Sequence, residues 1–329
     1  MKRFLLFILL GVLLSSCESK QKPIDTTLRG TVFGTTYKIV CVNTAVDYQK
    51  SIDSLFYLVN KSISTYLPTS AVSRINKGDT TVVADTILLE LLEKSKEVYQ
   101  KTGGYFDPTV GNLVNAWGFG PKNEKRNLDS LEVKQQMKWV GFDKISVINQ
   151  KVIKEEPTIY LDFNAIGKGF GIDLIARFLE RKNIENYMIE IGGEIRAKGI
   201  KQNGKAWRIQ IENPINNDTR DAFSFINLSN KSMATSGNYR KFRITDTGQK
   251  YVHTVNPKTG FATESNLLSV SVIAALDCAD VDAYATAFMA MGVEKTIAFL
   301  NKNPNIKAIL IYLDAQQALT SYSNYSYSL

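Results

Sequence analysis

Tyr187-Met188-Ile189-Glu190-Ile191-Gly192-Gly193-Glu194-Ile195-Arg196-Ala197-Lys198-Gly199-Ile200 is the stretch on which the fold turns. It reads as two short strands, 187–191 and 195–200, broken at a pair of glycines. Further strand-like runs follow at 206–212, 223–228, 232–236, 239–245 and 267–275, so strand leads to strand rather than to helix. Other strands are expected at 29–42, with a turn near Gly34, and at 145–153, 157–163 and 308–313. Helical spacing is found over 47–63, where Ile52, Leu55, Phe56, Val59 and Ile63 form one stripe. It recurs over 87–101, 129–139, 171–183, 280–291 and 293–301. Strands in meanders with helices collected between them predict an α+β fold of mostly antiparallel strands, not a doubly wound parallel sheet.

The chain has 329 residues, 44% apolar and 22% charged, which fits one large or two closely joined folded domains and excludes general disorder. Its single histidine is a sharper limit. No site needing two His ligands can form, and any Ser/His/Asp or Cys/His arrangement must use His253.

Lys2 and Arg3 precede an apolar run over 4–14, too short for a membrane span but suited to a signal peptide. The run ends in Leu13-Leu14-Ser15-Ser16-Cys17, which looks like a bacterial lipobox. This divides the chain into a signal peptide (1–16), a lipidated Cys17 with a flexible tether (17–28), and a folded domain (29–329). An ordinary signal peptide with a chance cysteine is the alternative. Loss of Lys2 and Arg3 lowers the net charge from +8 to +6, and the remainder is diffuse, which argues against a nucleic-acid partner. Cys41 and Cys278 lie in apolar contexts and read as buried thiols, with a disulfide as the rival reading.

Three segments could carry chemistry. The first is Tyr160-Leu161-Asp162-Phe163-Asn164-Ala165-Ile166-Gly167-Lys168-Gly169-Phe170-Gly171, glycines leading into a helix, with Lys168 suited to a phosphate. A tight strand-to-helix turn explains the same pattern. The second is Asp277-Cys278-Ala279-Asp280-Val281-Asp282-Ala283-Tyr284-Ala285-Thr286. If Asp280 caps a helix, Asp282 and Thr286 share one face as a hard-oxygen pair suited to Mg²⁺; first-turn charges favoured by the helix dipole are the alternative. The third is His253-Thr254-Val255-Asn256-Pro257-Lys258-Thr259-Gly260, an imidazole at the end of a strand before two turns. Tyr66 and the Trp117-Gly118-Phe119 loop add rings suited to stacking, or simply to core packing.

Taken in order, these segments resemble the bacterial FAD:protein FMN transferases, the ApbE-type flavin transferases. The likeness is carried by Ser64-Thr65-Tyr66, Gly104-Tyr105-Phe106-Asp107-Pro108, Trp117-Gly118-Phe119-Gly120, Asp162-Phe163-Asn164-Ala165-Ile166-Gly167-Lys168-Gly169 and Ile191-Gly192-Gly193-Glu194. It continues through Ala234-Thr235-Ser236-Gly237, the His253 to Gly260 run and the Asp282/Thr286 pair. The resemblance implies the fold of that family, FAD as substrate, and transfer of FMN by a phosphoester bond to a Thr or Ser of an acceptor with release of AMP. It implies Mg²⁺ on Asp282, Thr286 and the Ala165 carbonyl, and Lys168 at the pyrophosphate. Phe33, Tyr66, Trp117, Gly118, Phe119, Asp162 and Val255 would contact FAD, and His253 would be the base. The implied partners are flavoprotein subunits of membrane redox complexes carrying a Ser/Thr-Gly-Ala-Ser/Thr motif, met by a lipid-anchored enzyme facing the periplasm, with the inner membrane favoured. That acceptor motif is absent from this chain. Phe33 stands where the family more often has Met, and Asn256 and Lys258 where it has Asp and Arg. Two rival readings are an FAD pyrophosphatase yielding FMN and AMP, and a non-catalytic periplasmic flavin-binding lipoprotein.

Overall fold

A computed structural model of the chain describes residues 24–121, 128–215, 221–238, 242–244, 250–262 and 265–327. The signal-peptide reading of 1–16 and the lipidation reading of Cys17 lie outside the described residues, as do the ends of the expected strand 239–245.

The chain opens with a hairpin of β1 (Thr26–Val32) and β2 (Thr35–Cys41), followed by helices α1 (Gln49–Ile63), α2 (Ala71–Asn76), α3 (Thr86–Lys101), α4 (Gly111–Ala116) and α5 (Ser130–Gln136). A small hairpin, β3 (Ile145–Ile148) and β4 (Lys151–Lys154), precedes α6 (Gly167–Arg181). Then come β5 (Tyr187–Ile191), β6 (Glu194–Lys198), β7 (Trp207–Glu212), β8 (Ala222–Leu228), β9 (Lys231–Gly237), β10 (Phe242–Ile244), β11 (Lys250–Val252) and β12 (Leu267–Ala274). The chain closes with α7 (Cys278–Met291), α8 (Val293–Lys302), β13 (Lys307–Leu313) and β14 (Leu319–Ser323).

Eight strands form one sheet in the order β1-β2-β5-β6-β9-β12-β13-β14, every neighbouring pair antiparallel. This is the expected α+β architecture. Helices cover one face over a core that includes Ile39, Phe163, Phe170, Ile189, Val272 and Phe288. The β7–β8 hairpin covers part of the other, turning Trp207, Ile209 and Ile211 inward while Arg208 and Gln210 face solvent. That alternation is what a strand with one wet face requires. β12, by contrast, is buried along nearly its whole length because both its faces are covered. Helix α7 is apolar almost all round, from Cys278 through Met289, and it packs on β9 and β12. A helix with no solvent face can carry a polar side chain inward only where that group has work to do or a partner to meet.

Several expectations are corrected. Residues 157–163 are not a strand of the sheet: Leu161 is held in extended form by the Asn76 side chain, which bonds both its N–H and its carbonyl at 2.8 Å. Tyr160 makes one isolated bridge to Val110. The 145–153 run is a hairpin that turns at Asn149 and Gln150, both with positive φ. The fold starts at Thr26, inside the stretch assigned to the tether, because Thr26 and Thr27 pair with Cys41 and Val40. Helix α6 starts four residues earlier than expected, and α7 starts at Cys278, so Asp280 lies in its first turn rather than capping it. Cys41 and Cys278 are buried free thiols. Among the described residues no helix is long and apolar enough to cross a membrane.

Candidate functional site

The site is built where the first turn of α6 meets α7. A Cβ on Gly169 would lie 2.4 Å from the Cys278 carbonyl oxygen and 2.7 Å from the Ala279 nitrogen, so only glycine lets the two helices approach this closely. Across that contact the Gly169 N–H donates to Asp282 Oδ2 at 3.1 Å. In a regular helix this donor would go to the carbonyl four residues back, that of Ala165. Its diversion leaves the Ala165 carbonyl with no backbone donor among the described residues.

Lys168 Nζ lies 3.9 Å from Asp282 Oδ2 and 3.5 Å from Glu194 Oε2. Glu194 opens β6 directly after the Gly192-Gly193 turn. Its side chain is 4% exposed and that of Asp282 is 3% exposed. Glu194 Oε2, though at ion-pair distance, has no hydrogen-bond partner. Burial pushes the Glu194 carboxyl up; Lys168 pulls it back, and Asp282 pushes it further. Burial likewise raises Asp282, opposed by Lys168 and the Gly169 N–H. Lys168 is raised: the carboxylates Asp282 and Glu194 outweigh its burial. Two buried carboxyl groups share one ammonium, and burial outweighs it at Glu194, which is pushed up to about 8; a further cation would favour its ionised form.

One turn along α7 from Asp282, Thr286 Oγ1 sits 3.4 Å from Ser236 Oγ on β9. Asp282, Thr286 and the freed Ala165 carbonyl are hard oxygen donors on elements packed together, beside two buried carboxyl groups that share one ammonium. Those donors fit a small divalent cation. No group of three or more His, Cys, Asp or Glu side chains among the described residues could hold a metal by itself, so a cation here would need the carbonyl and the hydroxyl.

The remaining candidates fall into two further groups. His253 is half-buried beside Thr254, whose hydroxyl donates to Asn238 at 2.9 Å, just beyond the end of β9. Asn256 in the same turn donates to the Ala290 carbonyl of α7 at 3.2 Å. Val255 is buried with Trp117 and Tyr251 in a small core of its own. Trp117 is fully buried, stacks on Tyr251 at 4.7 Å and donates from Nε1 to the Gly260 carbonyl at 2.8 Å. In this position its ring ties the Gly118-Phe119 loop to the His253 turn and presents no free face to a flavin. Phe119 packs half-buried against the same core.

On the other side, Asp162 accepts from the Asn164 N–H at 2.8 Å, and the Asn164 side chain reaches Thr65, next to Tyr66, at 3.5 Å. Tyr66 is exposed, its phenol raised by partial desolvation and by Asp162 and Tyr160. Phe33, at positive φ in the β1–β2 turn, fills the space left by the missing Cβ of Gly171 and meets Phe56 edge-on. Glu194, Ser236 and Asn238 are additions to the set chosen from sequence. Glu194 and Ser236 had shown themselves only as members of glycine-containing motifs.

The family model of the ApbE family matches residues 33–310. The chain belongs to the ApbE family. A member from Haemophilus influenzae, FAD:protein FMN transferase, is 34% identical over 318 residues, covering 92% of this chain and 90% of the relative. The structure of the flavin transferase ApbE from Vibrio cholerae superposes with a TM-score of 0.80 at 32% identity, over 91% of this chain and 97% of that one. The apo flavinyl transferase ApbE of Pseudomonas stutzeri gives 0.81 at 28% identity, over 91% and 94%. The matched region holds every member of the charged cluster.

Proposed function

We propose that this member of the ApbE family is an FAD:protein FMN transferase that depends on Mg²⁺, releases AMP and esterifies a Thr or Ser of its acceptor. The Haemophilus influenzae relative is named an FAD:protein FMN transferase, and the observation that supports the finer reading here is the set of oxygens on Asp282, Thr286 and Ala165 beside Lys168. Those three groups would hold the cation, which when bound neutralises charge on the pyrophosphate. Lys168 would add its ammonium there. An alcohol is a weak nucleophile at neutral pH, so a base must take its proton as the new bond forms. His253 would accept that proton; the acceptor oxygen joins the FMN phosphorus, and the bond to the AMP phosphate breaks. Tyr66, Asp162, Phe33 and the Gly118-Phe119 loop would contact and position the flavin. The acceptor would be a flavoprotein subunit of a membrane redox complex, met by an enzyme held at the periplasmic face through lipidated Cys17.

The test is incubation of the purified protein with FAD, Mg²⁺ and an acceptor carrying Ser/Thr-Gly-Ala-Ser/Thr. Covalently fluorescent acceptor is expected, and its absence would sink the proposal. His253→Ala should lower transfer by ~10²–10⁴-fold, the contribution of a general base, while leaving slow hydrolysis of FAD to FMN and AMP. Equal loss of both activities would assign His253 another role.

A further inference from the structure

Glu194 has no part in the mechanism above, yet it is buried beside the reacting centre with the Lys168 ammonium 3.5 Å from its Oε2. Among the described residues, Lys168 is the one cation within 4.0 Å of either Glu194 or Asp282. Its ammonium lies closer to Glu194 Oε2 than to Asp282 Oδ2, 3.5 against 3.9 Å. The two partners differ in freedom. Glu194 is fixed by the sheet, paired with Ile191 across the two-residue turn in which Gly192 and Gly193 have φ of +64° and +108°. Lys168 ends a flexible four-carbon stem at the start of α6 and can follow whichever carboxylate attracts it more.

A lysine that closed fully on Asp282 would occupy the oxygens a divalent cation needs. We infer that Glu194 is a positioning residue that holds the Lys168 ammonium off Asp282, keeping that carboxylate open to the cation while Lys168 stays beside the pyrophosphate position. The inference rests on the reading of Asp282 as a cation ligand and adds to it the residue that keeps the ligand available. It also accounts for a carboxyl group in a closed position: a Gln there would be a weaker acceptor for the ammonium, and an apolar residue would leave Lys168 no partner but Asp282.

Binding of Mn²⁺ to the full chain without FAD, followed by electron paramagnetic resonance, separates the possibilities. Glu194→Gln, nearly isosteric, should weaken Mn²⁺ binding by about tenfold, the usual size for a group that supports a metal ligand. Adding Lys168→Met removes the competing ammonium, so the double variant should return to within about twofold of the unaltered protein. A purely structural role for Glu194 predicts no such rescue. In turnover, Glu194→Gln should raise the Mg²⁺ concentration needed for half-activation, and saturating Mg²⁺ should restore most of kcat. If the unaltered protein binds no Mn²⁺, the cation reading itself fails. If it binds, yet Glu194→Gln binds equally well or the double variant is not rescued, the role of Glu194 is overturned and the cation reading stands. Should Glu194→Gln not fold, Glu194→Asp keeps the charge and should bind Mn²⁺ within a few-fold of the unaltered protein; much weaker binding would overturn the inference as well.

Discussion

Two buried carboxylates face each other across the α6–α7 contact, and they are alike in burial and opposite in company. Asp173, on α6, is saturated. It accepts from the Cys278 and Ala279 N–H groups at 2.8 Å each, which caps the start of α7 from a neighbouring helix, and from Arg196 at 2.6 Å. Arg196 also holds Asp277, which pairs with Lys94 and Arg177, so charge is matched by charge. Asp282, one turn further along α7, has a single N–H, a lysine at 3.9 Å, and a second carboxylate nearby with an unbonded oxygen. The saturated cluster fixes where α7 begins, and the unsaturated one is where the proposed cation would sit. Burial alone does not mark a functional carboxylate; an incomplete set of partners does.

If that contrast is sound, the two residues respond oppositely to substitution. Asp282→Asn should lower FMN transfer by about 10³-fold, the loss of several kcal/mol of charge stabilisation, with little change in Tm. Transfer would be read as covalent flavin fluorescence, and a large drop in Tm would break the comparison. Asp173→Ala leaves two buried N–H groups and Arg196 without that acceptor and should cost about 3 kcal/mol in urea unfolding. Its effect should also depend on pH. Burial, and then Asp277, push the Asp173 carboxyl up to about 6 against the pull of Arg196 and the two N–H groups. Unfolded, the same group titrates near about 3.9. Between those values the folded chain binds more protons than the unfolded one, so the advantage of the unaltered protein over Asp173→Ala should shrink as pH rises from about 4 to about 6. A constant difference across that window would remove Asp173 as its source.

How much of this was legible in the sequence follows from the range of the interactions. The α+β class and most elements were, because the periodicities of β7 and α1 are local and each answers to one wet and one dry face. The segment 157–163 was misread because what extends it is Asn76, 85 residues away. β14 was missed because its partly exposed Leu-Thr-Ser-Tyr-Ser run gives little alternation to read. The motifs at Lys168, His253 and Asp282 announced themselves by composition. How Lys168 comes to face Asp282 did not, since it depends on Gly169 packed against Cys278. Trp117 could be read either way, as a ring for stacking or for core packing, and what puts it in a core is a hydrogen bond to Gly260, 143 residues on. Glu194 was visible as a letter and silent as a role, because its meaning lies in what it lacks.

The smallest change tests the contact that both carboxylates share. Gly169→Ala adds one methyl group, and the atoms it would meet are the Cys278 carbonyl and the Ala279 nitrogen, backbone that cannot rotate away. The helices must therefore separate, at a cost of about 1–3 kcal/mol. The same N–H that anchors Asp282 belongs to this residue, so the shift reaches the open cluster directly. Asp173 is one turn away and holds α7 by two side-chain bonds of 2.8 Å, against the single bond of 3.1 Å at Asp282, so it should keep its hold as the helices separate. Gly169→Ala should thus lower transfer and Mn²⁺ affinity more than its modest loss of Tm would suggest. If stability falls while Mn²⁺ affinity is unchanged, Asp282 does not depend on the close approach, and the two clusters are less tightly joined than their common helix implies.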